Sequence, residues 1–376
     1  MRVGIDARLL SEQITGIGRY TSELTRQLIM QKGEFHLYSA CPISDNFWRQ
    51  DNIMLRSGHF HNRIGKMLWS QTYLPYWSVK DQIDVFWGTT HRLPKYLPSS
   101  VARVVTIHDL VWKYAGETMR PLSRWMEKRL MPVAIRQADR IISDSLSTAQ
   151  AIREEYPSVQ ERIRVIYPGV TDLPGPMEMH ALSGFGIFQP YFLFVGTLEP
   201  RKNLKRLLRA FASLHRSIVG DAQLVIAGGK GWGSVNVNQL VKEMELSERV
   251  ITVGYVTDVQ LSTLYAHARF LVMPSLYEGF GLPLVEAMSF GIPVLTSNRS
   301  SLPEVCGDAG ILVDPFDEES IATGLSTLLN DDDHRDKLAS KAIRNAARFD
   351  WENAAIETLA VFEEAVQERG CSRGNS

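Results

Sequence analysis

The chain has 376 residues, of which 44% are hydrophobic and 22% are charged. These values are typical of a folded globular protein and exclude a disordered one, and the length suffices for two α/β domains. No apolar run approaches the roughly 18 residues of a membrane-spanning helix, and the N-terminus shows no signal-peptide pattern. The three cysteines, Cys41, Cys306 and Cys371, are scattered, which predicts a protein of the reducing cytoplasm without a disulfide framework.

Apolar runs that alternate with helix-length amphipathic segments predict βαβ units along the whole chain. The predicted strands are 3–6, 35–39, 85–87, 104–108, 140–143, 164–167, 191–196, 223–227, 250–253, 270–274, 293–296 and 310–313. A stretch dense in proline and glycine interrupts the series, and it predicts a first domain over 1–170, a linker over 171–188 and a second domain over 189–350. The last segment, 351–376, is predicted to be a helix capped by Asp350, with a frayed tail from residue 370.

Two features of the first half lie near the carboxyl ends of predicted strands. Gly16 and Gly18, in the loop that begins at Thr15, form a G-x-G pattern without the third glycine of a dinucleotide-binding fingerprint. Such glycines allow a ligand to approach the backbone closely. His108 ends a strand and is expected to face the crevice where doubly wound sheets bind ligands, although a single histidine is more often structural.

Adjacent cations mark the start of the second half. Arg201 and Lys202 follow the strand 191–196 and precede a predicted helix. Two cations at a helix start oppose the helix dipole. A bound diphosphate would compensate for this cost, since Arg binds phosphate through its planar fork and Lys as a point charge. The alternative is a pair of solvated surface cations.

The segment from Glu278 to Glu286 carries two carboxylates with seven residues between them. It places Glu278 in a glycine loop after a buried strand, and Glu286 in the first turn of a helix that starts at Pro283. The loop residues Gly279, Phe280, Gly281 and Leu282 lead into a helix N-terminus, which offers unpaired N–H groups to a phosphate. The carboxylates are suited to accept hydrogen bonds from the hydroxyls of a ribose and a sugar. Alternatively, Glu286 complements the helix dipole and Glu278 is solvated.

A metal site is not predicted. The acidic run Asp331-Asp332-Asp333 contains a D-x-D pattern, but it is more typical of a helix N-terminus. No histidines or cysteines have metal-ligand spacing.

Basic and aromatic residues are interleaved in two parts of the first half. Residues 52–80 contain no acid, and residues 113–140 contain seven cations and three acids. Trp69, Tyr73, Tyr76, Trp77, Trp112 and Trp125 lie among these cations. The pattern favours a membrane surface over nucleic acid, because the sequence pI is only 6.8. An ordinary amphipathic helix pair is the alternative.

The segment Glu278–Glu286 resembles the E-x7-E motif of retaining, nucleotide-sugar-dependent glycosyltransferases of family 4, and the resemblance extends over about residues 1–365. It implies the GT-B fold, in which two Rossmann-like doubly wound α/β domains face a cleft and the last helix crosses back to the first domain. It implies catalytic roles for His108, Glu278, Arg201 and Lys202. His108 would contact the donor sugar, Gly16 and Gly18 would lie near the donor phosphates, and Tyr255 with Val256 would flank the nucleobase. The implied donor contacts are Gly16, Gly18, Arg201, Lys202, Tyr255, Val256, Glu278, Gly279, Phe280, Gly281, Leu282 and Glu286.

The stretches 15–20 and 197–203 resemble bacterial mannosyltransferases of O-antigen and exopolysaccharide assembly. The implied donor is GDP-mannose, with GDP-rhamnose or a UDP-hexose as alternatives, and no metal cofactor is expected. The implied acceptor is a lipid-linked glycan at the cytoplasmic face of the inner membrane. The sequence does not choose between a front-face and a covalent mechanism. A GT-B nucleotide-sugar epimerase and a non-catalytic sugar-nucleotide-binding module are the other classes considered.

Overall fold

The computed structural model describes residues 1–12, 16–188, 190–233 and 236–374 of the chain, and the side chains at 46, 63, 64 and 372–374 lie outside that description. Thr15 therefore falls outside it. The strands are β1 (Arg2–Asp6), β2 (Glu34–Ser39), β3 (Ile53–Ser57), β4 (Val85–Gly88), β5 (Ala102–Ile107), β6 (Arg140–Ser143), β7 (Ile163–Val165), β8 (Tyr191–Val195), β9 (Gln223–Ala227), β10 (Val250–Gly254), β11 (Leu271–Met273), β12 (Val294–Ser297) and β13 (Gly310–Val313).

The α-helices are α1 (Gly16–Ile29), α2 (Arg63–Lys80), α3 (Val111–Tyr114), α4 (Pro121–Gln137), α5 (Leu146–Glu155), α6 (Leu204–Ser213), α7 (Arg216–Val219), α8 (Val237–Glu243), α9 (Asp258–His267), α10 (Leu282–Ser289), α11 (Leu302–Cys306), α12 (Glu318–Asn330), α13 (Asp332–Ala346) and α14 (Trp351–Gly374). Strands and helices alternate, as the predicted βαβ pattern requires.

The chain packs into two compact units. The first contains Met1–Leu110, Trp125–Gly169 and Asp350–Ser376, and the second contains Val111–Arg124 and Val170–Phe349. Within the described residues, each unit is built on one parallel sheet, with strand order β3-β2-β1-β4-β5-β6-β7 in the first and β10-β9-β8-β11-β12-β13 in the second. The chain therefore has the predicted fold class, with a doubly wound Rossmann-like sheet in each unit.

Continuous apolar runs explain why the central strands were predictable. In β8, the residues from Tyr191 to Phe194 are fully buried, because helices cover both faces of a parallel sheet. One strand was missed. β3 pairs only with β2 at the edge of the sheet, and Met54 in it is 43% exposed, so it lacks the apolar run that identifies a buried strand.

The last helix belongs to the first unit, as predicted from the fold. Asp350 caps it, because its carboxylate accepts hydrogen bonds from the backbone N–H groups of Glu352 and Asn353 at 3.2 and 3.3 Å. Trp351 packs edge-on against Tyr20 of α1, with ring centroids 5.7 Å apart. In the described part of the tail α14 continues to Gly374, beyond residue 370, where the sequence predicts fraying.

Two segments are placed differently from the predicted division of the chain. Residues 171–188, predicted to be a linker, pack within the second unit, where the backbone N–H of Met177 donates to the Thr263 hydroxyl at 2.9 Å and Leu182 is fully buried. Residues 111–124 also pack within the second unit, although they come from the first half of the chain.

Candidate active site

The second unit has a topological switch point between β8 and β11. From β8 the chain proceeds to β9 and β10 on one side of the sheet, whereas β11, β12 and β13 lie on the other. Ligands of doubly wound sheets bind in the crevice beyond the carboxyl ends of two such strands. Arg201 and Lys202 follow β8, and Glu278 follows β11, so the topology places these three residues at the switch point.

The cations and Glu278 form one ion-paired cluster. The Lys202 ammonium donates to Oε1 of Glu278 at 2.5 Å, and the Arg201 guanidinium donates to Oε2. Lys202 and Glu278 are 6% and 5% exposed. Arg201 also pairs with Glu199 at 3.2 Å and donates to the carbonyl oxygen of Tyr277 at 3.3 Å. The sequence predicted that these cations would bind phosphate, but not that a carboxylate 76 residues away would pair with them.

Burial and the ion pairs of the cluster shift the pKa values of Glu278 and Lys202. Burial alone would raise the pKa of Glu278, but Arg201 and Lys202 outweigh it and lower the pKa to about 2. Glu278 is therefore ionised at neutral pH. Burial lowers the pKa of the Lys202 ammonium against the attraction of Glu278. An additional anion beside Lys202 would favour its charged form.

A short turn, not the predicted helix start, presents Arg201 and Lys202. They lie in a 3₁₀ turn over Pro200–Lys202, and α6 begins only at Leu204. Asn203 separates the two elements in the left-handed conformation, with φ of 62°, and its side-chain amide donates to the carbonyl oxygens of Pro274 and Pro315. These hydrogen bonds attach the turn to the segments that follow β11 and β13.

Glycines bring backbone to the rim of the same crevice. Gly196 and Gly228 directly follow β8 and β9 and have φ of 147° and 156°, values that L side chains rarely adopt. A Cβ on Gly228 would overlap the carbonyl oxygen of Gly196, and one on Gly196 would lie 3.3 Å from Cε of Lys202. Tyr255 and Val256 follow β10, two strands from β8, and Tyr255 is 55% exposed.

The loop after Glu278 is fixed by hydrogen bonds to the turn that precedes α11. The N–H of Glu278 donates to the Ser300 hydroxyl at 3.0 Å, and the Ser301 hydroxyl donates to the carbonyl oxygen of Phe280 at 2.9 Å. Gly279 lies within this loop. Gly281 has φ of 106°, and a Cβ there would come within 2.9 Å of Leu302.

Helix α10 begins at Leu282, one residue before the predicted start at Pro283. Glu286 therefore lies in the second turn, not the first, and complementing the helix dipole does not explain it. It is 3% exposed, and its two oxygens accept hydrogen bonds from Thr171 at 3.1 Å and Tyr265 at 2.9 Å. Both partners were missed by the sequence analysis, since neither lies in a recognisable motif.

In the first unit, His108 directly follows β5 and is held on both ring nitrogens. Nδ1 lies 2.5 Å from a carboxylate oxygen of Asp144, and Nε2 lies 2.9 Å from the carbonyl oxygen of Thr89. Burial alone would lower the pKa of His108, but Asp144 outweighs it and raises the pKa above the usual value. Because both nitrogens face acceptors, His108 is suited to carry charge and not to accept a proton. Asp144 follows β6, the neighbour of β5, and this position could have identified it.

Gly16 and Gly18 lie in the first turn of α1, not in the predicted loop. A Cβ on Gly16 would have no atom within 4 Å, so packing does not require glycine there. The structure thus brings together Arg201, Lys202 and Glu278. Glu286, Tyr255 and Val256 belong to the same unit, whereas His108, Gly16 and Gly18 belong to the first.

The acidic run has the predicted structural role. Asp331 caps α13 by accepting from the N–H of His334 at 2.8 Å, and Asp332 pairs with Arg335 at 2.7 Å. Over the described residues, no three His, Cys, Asp or Glu side chains are grouped as metal ligands. None of the described helices is both long and apolar enough to cross a bilayer.

Helices α2 and α4 form most of the two basic and aromatic stretches. Their exposed apolar side chains are Met67, Leu68, Tyr73, Tyr76 and Val79 on α2, and Leu122, Trp125, Leu130 and Val133 on α4. Trp69 and Trp112 are buried, so they cannot contribute to a surface. Lys66 pairs with Glu12, and Arg124 donates to the carbonyl oxygen of Trp112 at 3.3 Å.

Both halves of the chain match known families. Residues 185–345 match the family described as Glycosyl transferases group 1, and residues 14–172 match Glycosyltransferase Family 4. The O-antigen chain mannosyltransferase B of Escherichia coli is 32% identical over 370 residues, which cover 93% of this chain and 96% of that protein.

Solved structures share the fold. Sucrose-phosphate synthase from Thermosynechococcus elongatus superposes with a TM-score of 0.79 at 20% identity, covering 97% of this chain and 98% of that one. WaaG, a glycosyltransferase involved in lipopolysaccharide biosynthesis, superposes with a TM-score of 0.76 at 18% identity, covering 96% and 99%.

Proposed function

The chain belongs to the group 1, family 4 glycosyltransferases, and on that premise we propose that it transfers mannose from GDP-mannose, with retention of configuration, to a hydroxyl of a lipid-linked glycan in bacterial surface polysaccharide assembly. The observation that carries the donor site is the cluster of Arg201, Lys202 and Glu278 at the switch point of the second unit. Mannose as the transferred sugar and O-antigen assembly as the process are supported by the name of the Escherichia coli relative.

The donor diphosphate would bind to Arg201 and Lys202. Within the cluster, Glu278 compensates both cations, and Glu199 compensates Arg201 further. As the glycosidic bond breaks, negative charge grows on the departing diphosphate, and fixed cations stabilise that charge more than they stabilise the bound donor. The two cations thereby supply the compensation for which other enzymes use a divalent metal.

Carboxylates would hold the sugar and the ribose. Each oxygen of Glu278 and Glu286 already accepts one hydrogen bond, but a carboxylate oxygen has room for a second. Glu278 would accept from a hydroxyl of the hexose, and Glu286 from the ribose. Tyr255 and Val256 would flank the guanine base.

His108 would face the hexose as a cation, because Nδ1 lies against the carboxylate of Asp144 and Nε2 against the carbonyl oxygen of Thr89. It would not serve as a general base. Gly16 and Gly18, at the N-terminus of α1, would allow close approach of the substrate.

The acceptor would be reached at a membrane surface. Trp125 and Tyr76 are each 58% exposed, and Lys80, Lys128 and Arg129 are exposed on the same two helices. Exposed aromatic rings among cations are typical of proteins that bind anionic lipid headgroups. We therefore place the working enzyme at the cytoplasmic face of the inner membrane.

The decisive experiment incubates the protein with a panel of GDP- and UDP-sugars, with and without excess chelator, and follows slow donor hydrolysis. GDP-mannose should be hydrolysed fastest, and chelator should not matter. Preferred hydrolysis of GDP-rhamnose or a UDP-hexose would replace the proposed donor. Formation of an epimerised sugar nucleotide would indicate an epimerase. Binding without turnover would indicate a non-catalytic module. Loss of activity in chelator that Mg²⁺ restores would indicate a metal requirement. The anomeric configuration of the glycan product, measured by NMR, tests retention.

A further inference from the structure

The segment 111–124 is a strap that the first half of the chain contributes to the second unit. It begins three residues after His108 and comprises α3, a 3₁₀ turn over Gly116–Thr118 and the start of α4. Its apolar side chains Val111, Trp112 and Ala115 are buried. The strap is therefore packed into the second unit and is not a surface loop.

A closed turn holds the strap in shape. The Arg124 guanidinium lies where a side chain on Gly116 would be, so a larger residue at that position would displace it. Arg124 also donates from Nε to the carbonyl oxygen of Trp112 at 3.3 Å. These contacts tie the end of the strap to its beginning and fix the backbone that carries Tyr114.

Tyr114 stacks on Tyr277. The ring centroids are 5.8 Å apart, and the ring planes differ by only 7°. Tyr277 is 9% exposed and forms an apolar cluster with Val111 and Ala115 of the strap, against which Met119 packs. Stacked aromatic pairs stabilise one another beyond the area they bury, so the strap determines where the Tyr277 ring lies.

Tyr277 is directly linked to the cation cluster. Its carbonyl oxygen accepts a hydrogen bond from Arg201 at 3.3 Å, and the next residue is Glu278. We propose that Tyr114 is a positioning residue for the donor diphosphate: it holds Tyr277 in place, and through Tyr277 it holds Arg201 and Glu278. This inference rests on the proposed role of Arg201 and Lys202 in diphosphate binding.

The test compares four variants for GDP and UDP affinity by calorimetry and for donor hydrolysis. Tyr114→Ala should weaken the affinity for the diphosphate that binds by about three- to tenfold, the range expected for a lost aromatic pair. Tyr114→Phe keeps the stacked ring pair and should therefore bind the diphosphate with wild-type affinity. Phe188→Ala is the matched control, because Phe188 is an exposed aromatic residue of the same unit, 72% exposed. Lys202→Ala reports on the diphosphate site itself.

The outcomes separate the two claims. If Lys202→Ala weakens affinity but Tyr114→Ala binds like wild type, the positioning role of Tyr114 is wrong and the diphosphate site stands. If Lys202→Ala has no effect, the proposed site itself fails. Loss of affinity in Tyr114→Phe equal to that in Tyr114→Ala would also overturn the inference, because the stack would not be the cause. Should Tyr114→Ala lower Tm, Tyr114→Leu, which keeps apolar cover without a parallel ring, provides the same comparison.

Discussion

Lys202 is both charged and buried. The residue is 6% exposed, and its ammonium donates to Glu278. Burying an ammonium is costly without a compensating anion. Lys202 pairs with Glu278, which also pairs with Arg201, whereas Arg201 has Glu199 as a further partner. The donor diphosphate would be a second anion for Lys202.

Lys202→Ala should lower the turnover number by more than about tenfold, because the lost cation matters most when the diphosphate departs. Steady-state donor hydrolysis measures the effect. Lys205→Ala is the control, since Lys205 is an exposed lysine three residues further along. A turnover number near that of wild type would show that the diphosphate does not bind at Lys202.

Glu286→Ala should weaken the binding of the nucleoside diphosphate by about 1–3 kcal/mol, the usual effect of a lost charged acceptor. The substitution also leaves Thr171 and Tyr265 without their acceptor, so it will destabilise the fold. Tyr265→Phe separates the two effects, because it removes one donor and keeps the carboxylate. Calorimetric affinity for GDP that is equal in Glu286→Ala and wild type would rule out the ribose contact.

The contribution of Glu278 to the free energy of unfolding should decrease at acidic pH. Its pKa is lowered from about 4.3 in an unfolded chain to about 2 in the fold. A depressed pKa gives stability that is fully present above the unfolded value and is lost as pH falls towards the folded one. The free energy of unfolding should therefore differ most between wild type and Glu278→Gln above pH of about 4.3, and the difference should shrink below it. A difference that stays constant over this interval would contradict the ion pairing.

At the scale of helices and strands, the sequence predicted the elements that a local residue pattern determines. Buried parallel strands appear as apolar runs, and Pro283 marked the start of α10 to within one residue. The edge strand β3 lacks such a run. Contacts between residues that are distant in sequence leave no local pattern. Only the structure therefore shows that Lys202 contacts Glu278, that Tyr265 donates to Glu286, and that residues 111–124 pack within the second unit.

The first turn of α1 provides a test of close ligand approach. Gly16→Ala should preserve Tm or raise it slightly, because a Cβ meets no atom within 4 Å and alanine is a better helix former than glycine. Turnover should nevertheless fall, since the new methyl group would occupy space that the substrate needs. Full activity in Gly16→Ala would show that no substrate approaches this turn.

Gly228→Ala is the contrasting variant. Here a Cβ would overlap the carbonyl oxygen of Gly196, and the backbone has φ of 156°. Tm should therefore fall together with activity. The two glycines thus distinguish a requirement of the substrate from a requirement of the fold.

At the scale of the whole molecule, the charge is divided unequally along the chain. Residues 1–170 contain 23 Lys and Arg against 16 Asp and Glu, a balance of +7, and the remainder contains 18 against 26, a balance of −8. The near-neutral total of −1 conceals this division. A positive first half suits an acceptor that carries phosphates at an anionic bilayer.

Vesicles containing phosphatidylglycerol should therefore bind the protein at low salt, and added salt should weaken binding as charges are screened. Each cation near the surface contributes about 1 kcal/mol, so reversing Lys80, Lys128 and Arg129 to Glu should abolish sedimentation with vesicles and leave donor hydrolysis unchanged. The matched control reverses three exposed cations of the second half, Lys205, Arg216 and Lys242, and should retain binding. Because both variants change the net charge equally, a loss of binding in both would indicate net charge and not a surface on α2 and α4. Wild-type protein that ignores anionic vesicles at low salt would disprove membrane association, and the exposed aromatic residues of these helices would then need another partner.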